Sequence, residues 1–213
     1  GMDTSLYIPF VNVSFQLHPI LYIFFAMFVM VGCVNAVNLT DGVDGLSSSV
    51  TIPVMVFFTA AAFCMGRLDL ALLPASLVGG LIAYLFYNWH PAKVFMGDTG
   101  SLSIGGIIAV IAILIHKEIL LVLLCGVFVA ENLSVMAQVA YYKSGKRKGI
   151  KQRLFRRAPL HHHYNIGEEK LDKECSYLFK GPERPLHEAK ITLRFWIVTI
   201  VMAVITLMTL KIR

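Results

Sequence analysis

The chain has 213 residues, of which 57% are hydrophobic and only 15% charged, with a mean hydropathy of +0.70. That composition excludes an ordinary water-soluble domain, which carries about 25% charged residues and would have too few polar groups here to cover its surface. The formal net charge of +6 is unevenly distributed, and the four cysteines show neither a CxxC pair nor a disulfide framework, so they read as buried small hydrophobes.

In chain order, apolar runs at roughly 19–37, 48–66, 70–89, 102–116, 118–142 and 191–210 predict transmembrane helices. Each is close to the ~20 residues that cross a bilayer as helix. The fold class expected is all-α, a polytopic transmembrane helix bundle forming a single integral membrane domain over 1–213.

The first run ends in Asn35-Ala-Val-Asn38-Leu-Thr40-Asp41-Gly42-Val43-Asp44-Gly45. Ionisable groups beside a membrane are costly unless solvated, paired or functional. Two Asp-Gly pairs make a tight turn that sets backbone N–H groups beside carboxylates. Such a turn suits a divalent cation or the polar edge of a base, and it also suits an ordinary solvated turn. The spacing is not that of a calcium loop, because no glutamate closes the cage.

The third run ends in Asn88-Trp-His90-Pro-Ala-Lys93-Val-Phe95-Met-Gly97-Asp98-Thr99-Gly100-Ser101. Glycines on both sides of Asp98 let backbone approach a ligand closely. Phe95 can stack on a planar base, and Asp98 with Thr99 or Ser101 offers the hard oxygens that magnesium prefers. The same Asp98 or Ser101 can simply cap the fourth helix.

The fifth run carries Glu131, Asn132 and Gln138. Glu131 and Gln138 are two helical turns apart and share a face, either for inter-helix bonding or to line a site. Next comes a basic segment, 143–190, with 13 of the 19 Lys and Arg residues. It contains Arg156 and Arg157 and then Ala158-Pro-Leu-His161-His162-His163-Tyr164. Consecutive helical residues point about 100° apart, so three adjacent histidines converge poorly on one zinc. They read better as neutral or cationic donors to phosphate oxygens.

Basic residues concentrate in cytoplasmic loops, so 143–190 is expected to be a cytoplasmic loop. Alternation then puts 38–47 and 88–101 on the same face, with Arg67, His116–Glu118 and both termini on the other. The basic tract is expected to meet anionic membrane lipids or a phosphorylated substrate, and no nucleic acid.

Three motifs jointly carry a family resemblance: Asn-Ala-Val-Asn-Leu-Thr-Asp-Gly-x-Asp-Gly-Leu, then Val-Phe-Met-Gly-Asp-x-Gly-Ser, then Ala-Pro-x-His-His-His. In this order they resemble the phospho-N-acetylmuramoyl-pentapeptide-transferase family, and Arg194-Phe195-Trp196-Ile197 to Leu210-Lys211-Ile212-Arg213 is similar to its last helix. The resemblance implies a ten-helix bacterial inner-membrane enzyme with its active site facing the cytoplasm. It implies transfer of phospho-MurNAc-pentapeptide from UDP-MurNAc-pentapeptide to undecaprenyl phosphate, giving lipid I and UMP with Mg2+ in peptidoglycan synthesis, and a homodimer as the assembly. A UDP-GlcNAc:polyprenyl-phosphate GlcNAc-1-phosphate transferase would share the aspartates and magnesium but not the histidine context.

Carried over by position, the resemblance makes Asp98 the magnesium ligand. It puts Asn35, Asn38 and Asp41 in the catalytic cleft, and Gly42, Val43, Asp44, Asn88, Phe95 and Gly97 around the uridine. Gln138, His161, His162 and His163 then complete the cleft around phosphates and sugar. Apart from the resemblance, the joining of two anions calls for charge neutralisation, which the Arg156 region can help supply. The family's earlier helices, which carry a basic residue and an Asp-Asp pair, have no counterpart here. The resemblance therefore implies six of ten helices, the C-terminal part of a longer enzyme.

Overall fold

The computed structural model describes residues 4–8, 13–172 and 174–210. An antiparallel hairpin of β1 (Ser5–Ile8) and β2 (Val13–Gln16) leads into α1 (Pro19–Thr40), whose first position is proline, a residue preorganised for that place. Then come α2 (Leu46–Cys64), α3 (Leu68–Asn88), α4 (Gly97–Leu114), the single turn α5 (Leu121–Leu124) and α6 (Gly126–Arg147). The rest comprises β3 (Gln152–Arg153), α7 (Leu160–Asn165), β4 (Ser176–Tyr177) and α8 (Glu188–Thr209), with β3 and β4 paired in parallel.

Helices α1, α2, α3, α4 and α8 are long and apolar enough to cross a membrane. A helix bonds its backbone N–H and C=O groups internally, as hydrocarbon demands. The expected all-α polytopic bundle is present. The run at 118–142 departs from the expectation of one continuous span. It divides at Cys125 into α5 and α6, and α6 continues to Arg147 with Glu131, Asn132, Gln138, Lys143, Lys146 and Arg147 along it. These polar groups keep α6 outside the set of apolar spans.

Two other boundaries move. Helix α1 runs on to Thr40, so Asn35 and Asn38 are helical, and α4 begins at Gly97, so Asp98 and Ser101 lie in its first turns. Met96 holds the cap position of α4 without a side-chain bond, so neither Asp98 nor Ser101 is the cap.

Helix α2 is the most enclosed, packing on α3 and α8, while α1 packs on α4 and α6. Phe58, Met55, Ile108, Ile111, Leu124 and Phe128 are fully buried between them. The α1–α4 approach depends on Gly105, where a Cβ would lie 2.6 Å from Val34 Cα. Small residues allow such close helix contact in a membrane, where apolar burial alone gives no preference for helix over lipid. The outward faces carry large exposed apolar side chains, among them Phe28, Phe86 and Met208.

The bundle has two chemically distinct ends. At one, Tyr22 Oη donates to Glu118 Oε1 at 2.6 Å, and the Lys117 ammonium sits 4.1 Å over the Tyr7 ring, joining β1 to the α4–α5 connection. At the other, the C-terminal ends of α1 and α3 meet the N-terminal ends of α2, α4 and α8, and the polar motifs converge. The closing Lys211-Ile212-Arg213 lies outside the described residues.

Candidate functional site

The site is built on helix ends, where backbone groups lack intrahelical partners and polar side chains find water. Asn38, on the last turn of α1, donates through Nδ2 to Asp98 Oδ1 and to Ser101 Oγ, both at 3.0 Å. This places the first two motifs face to face, 60 residues apart in sequence. Asp98 is exposed, while Asp41 is partly buried just past α1. Burial first, and then the Asp98 charge, push the Asp41 carboxyl up to about 6.

That shift tests whether the site suits a divalent cation. The Asp98 carboxylate lies close enough to Asp41 to oppose its ionisation, and with the Ser101 hydroxyl at hand the two form a hard-oxygen set that a 2+ ion would suit. Asp41 and Asp98 fit such a group. A second cluster, Asp44, His90 and Glu188, brings three ligand-type atoms within 4.8 Å of one another. There, however, His90 Nδ1 is 2.9 Å from Asp44 Oδ2, a direct hydrogen bond that accounts for the approach.

Around the α1–α2 turn, Gly45 has φ +70°, a left-handed conformation, and its N–H donates to Asn88 Oδ1 at 3.1 Å. Asn88 is buried, and Ser48 Oγ also donates to its Oδ1 at 3.3 Å, while its Nδ2 donates to the Val94 carbonyl at 2.8 Å. Asn88 therefore ties the turn to the α3–α4 connection. Phe95 is 74% exposed, its ring open to a stacking partner, and beside it Gly97 has open space where a side chain would stand. Val43 is buried, Gly42 is exposed, and the Asp44 carboxylate accepts from His90 and the Ala92 N–H at 3.0 Å. Asn35 donates to Val31 O within its own helix at 2.8 Å and is exposed.

The three histidines take different positions. His161 is fully buried against fully buried Glu131: its backbone N–H donates to Glu131 Oε1 at 3.2 Å, and its Nδ1 lies 3.3 Å from Oε2. Its other edge meets the α1–α2 turn, so a Cβ on Gly42 would sit 2.5 Å from His161 Nε2. His163 is also buried, with Nδ1 accepting from the Arg156 backbone N–H at 3.1 Å, and burial lowers its pKa. His162 is only half-buried, and its pKa falls to about 4 through burial and then the neighbouring His161 and Arg157. It is neutral at physiological pH. The zinc alternative weakens further, since the His163 ring accepts from the Arg156 N–H and the His161 ring is packed between Glu131 and Gly42.

Two expectations shift. Gln138 accepts from the Leu154 and Phe155 N–H groups at 3.0 and 2.8 Å and donates to Phe155 O at 3.2 Å. It anchors the basic segment to α6, because a buried loop needs partners for its backbone. Arg156 is buried, donating to Pro182 O at 2.8 Å and Glu168 Oε1 at 2.7 Å. Its guanidinium holds the segment together rather than facing an open phosphate site. Arg157, Arg153, Lys143 and Lys146 instead line an open cavity of about 490 Å³ beside Gln138.

Sequence reasoning gave no role to His90, Glu188 or Thr192. Thr192 Oγ1 donates to Asp44 O at 2.9 Å across 148 residues. His90 stands within the polar cluster that closes the third run, a signal that could have drawn attention, but nothing local marks Glu188 or Thr192.

Residues 2–116 match the family described as glycosyl transferase family 4. The chain is 48% identical to a protein of Bacteroides fragilis named phospho-N-acetylmuramoyl-pentapeptide-transferase, over 91% of this chain and 50% of that protein. Relatives of the same name are 48% identical in Phocaeicola vulgatus (91% and 50% covered) and 41% identical in Flavobacterium psychrophilum (91% and 47%). The chain spans about half the length of these curated relatives.

Proposed function

Since this chain belongs to glycosyl transferase family 4, we propose that it supplies the helix-end site of a phospho-N-acetylmuramoyl-pentapeptide-transferase. The reaction joins phospho-MurNAc-pentapeptide from its UDP conjugate to undecaprenyl phosphate, releasing UMP and forming lipid I for the bacterial cell wall. The site faces the cytoplasm from the inner membrane. The observation that carries this reading is the Asn38–Asp98 contact, which gathers both acidic motifs at the end of the bundle that also bears the histidines.

Both reactants are anionic, so the protein must neutralise charge and hold geometry more than supply a nucleophile. Asp98 and Asp41 would hold Mg2+. Bound there, Mg2+ supplies positive charge beside the pyrophosphate. Asn38 fixes Asp98 through Oδ1, and among the described residues no group bonds its other oxygen, which leaves it to ligate. Phe95 offers its face to the uracil, and Gly42, Val43, Asp44 and Gly97 would surround the uridine on a turn that Asn88 holds in place. Neutral His162, beside Arg157, donates an N–H to a phosphate oxygen without adding charge. His161 and His163 hold the segment that presents it.

The test supplies membranes carrying the full-length gene product with labelled UDP-MurNAc-pentapeptide, undecaprenyl phosphate and Mg2+. Lipid-linked MurNAc-pentapeptide and UMP are expected in equal amounts. Turnover of UDP-GlcNAc with none of UDP-MurNAc-pentapeptide would overturn the substrate assignment.

A further inference from the structure

His90 joins three segments that are remote in sequence. Its Nδ1 lies 2.9 Å from Asp44 Oδ2 on the α1–α2 turn and 3.6 Å from Glu188 Oε2 on the first turn of α8. The Ala92 N–H binds the same Asp44 oxygen at 3.0 Å, and Thr192 Oγ1 holds the Asp44 carbonyl at 2.9 Å. Glu188 is fixed in turn, since its Oε1 accepts from Asn165 Nδ2 at 3.2 Å. The His187 ring meets the His90 ring edge-on, with centroids 4.6 Å apart. The Asp44, His90 and Glu188 side chains are 18%, 28% and 35% exposed, so all three are partly shielded from water.

This geometry constrains the chemistry. Nδ1 must carry a proton to donate to Asp44, so the contact also sets the imidazole's tautomer. Asp44 Oδ2 is then doubly bonded, and among the described residues no group bonds Oδ1. Oδ1 is left for a ligand that donates an N–H or O–H.

We propose that His90 and Glu188 are positioning residues for the nucleotide pocket, holding Asp44 so that Oδ1 and the adjoining Gly42–Val43 backbone keep a fixed aim at the base. The inference rests on the nucleotide reading of that turn. Neither side chain touches substrate. Their effect passes through Asp44, so it falls on nucleotide affinity and leaves the reacting phosphates alone.

The probe is UDP alone, bound to the full-length gene product in detergent and followed by calorimetry, with steady-state kinetics alongside. His90→Ala is expected to weaken UDP binding and raise KM for the sugar nucleotide about tenfold, with kcat and KM for undecaprenyl phosphate within about threefold of the unsubstituted values. His90→Asn puts an amide N–H near the place of Nδ1 and should recover most of the UDP affinity. Glu188→Ala should weaken UDP binding by a smaller factor, as its contact is longer. A merely structural role would lower thermal stability and kcat with no preference for the nucleotide, and His90→Asn would not rescue it. Either of those results overturns the proposal, and so does unchanged UDP affinity in a folded His90→Ala protein. If His90→Ala does not fold, the comparison of His90→Asn with His90→Leu decides in the same way. UDP binding without MurNAc-pentapeptide transfer would remove only the substrate assignment, whereas no UDP binding at all would remove this inference with it.

Discussion

At the scale of single residues, the acidic pair makes the sharpest demands. Asp98→Asn keeps the size and the contact with Asn38 but removes the charge, so turnover should fall at least about a hundredfold while the helical circular dichroism stays unchanged. Near-normal turnover would remove Asp98 from the metal role. Asp41 adds a pH dependence. Its carboxyl is raised to about 6, so the folded protein takes up a proton there as pH falls through that value, and a protonated carboxyl does not ligate. The Mg2+ concentration for half-maximal rate should therefore rise about fivefold between pH 6 and pH 5, and it should be flat above pH 7. His162 behaves oppositely. Its pKa is lowered to about 4, so it stays neutral through that window, and its imidazole NMR signals should titrate with a midpoint well below 6. Because the unfolded chain binds that proton more readily, the contribution of His162 to stability is complete above about pH 6.5 and declines as pH drops toward 4. Asp41, Asp98 and Phe95 stood out in the sequence as candidate site residues because carboxylates and an aromatic ring set among glycines at a membrane surface contribute little to packing. The engagement of Asn88, Gln138 and Arg156 within the protein was not legible, because a side chain that binds a ligand and one that binds a neighbouring loop look alike in sequence.

At the scale of elements, the buried Glu131–His161 contact connects α6 to α7 and, through Gly42, to the α1–α2 turn. Removing one member strands the other in a fully buried site. Glu131→Ala should cost about 1–3 kcal/mol in detergent-melting experiments, and Glu131→Gln, which can still accept from the His161 N–H, should cost less. Equal losses for both would mean that packing rather than hydrogen bonding holds the contact. The apolar runs predicted five helices closely because length and hydropathy suffice for a lipid-facing span. They missed the break at Cys125 and the continuation of α1 to Thr40 and of α4 back to Gly97. Helix ends there carry the polar candidate residues, and hydropathy cannot separate a polar helix end from a polar turn.

At the scale of the whole molecule, the gathering of the motifs at one end agrees with the orientation expected from 13 basic residues in one segment. Cys175 lies in that segment, partly exposed, and Cys64 lies at the far end of α2. In a Cys64→Ala background, a membrane-impermeant maleimide should label Cys175 in inverted vesicles and not in intact cells, and the reverse pattern would invert the proposed topology. The family match ends at residue 116, yet Gly42 inside it is shaped to His161 outside it. Recombination between relatives is constrained accordingly. A chimera crossed over near residue 116 unites one parent's turn with the other's histidine segment, and it can work only where the inherited side chains at 42 and 161 still leave each other room. Any drift toward a larger residue at 42 would have to await a smaller one at 161, which makes these distant positions a single unit of inheritance.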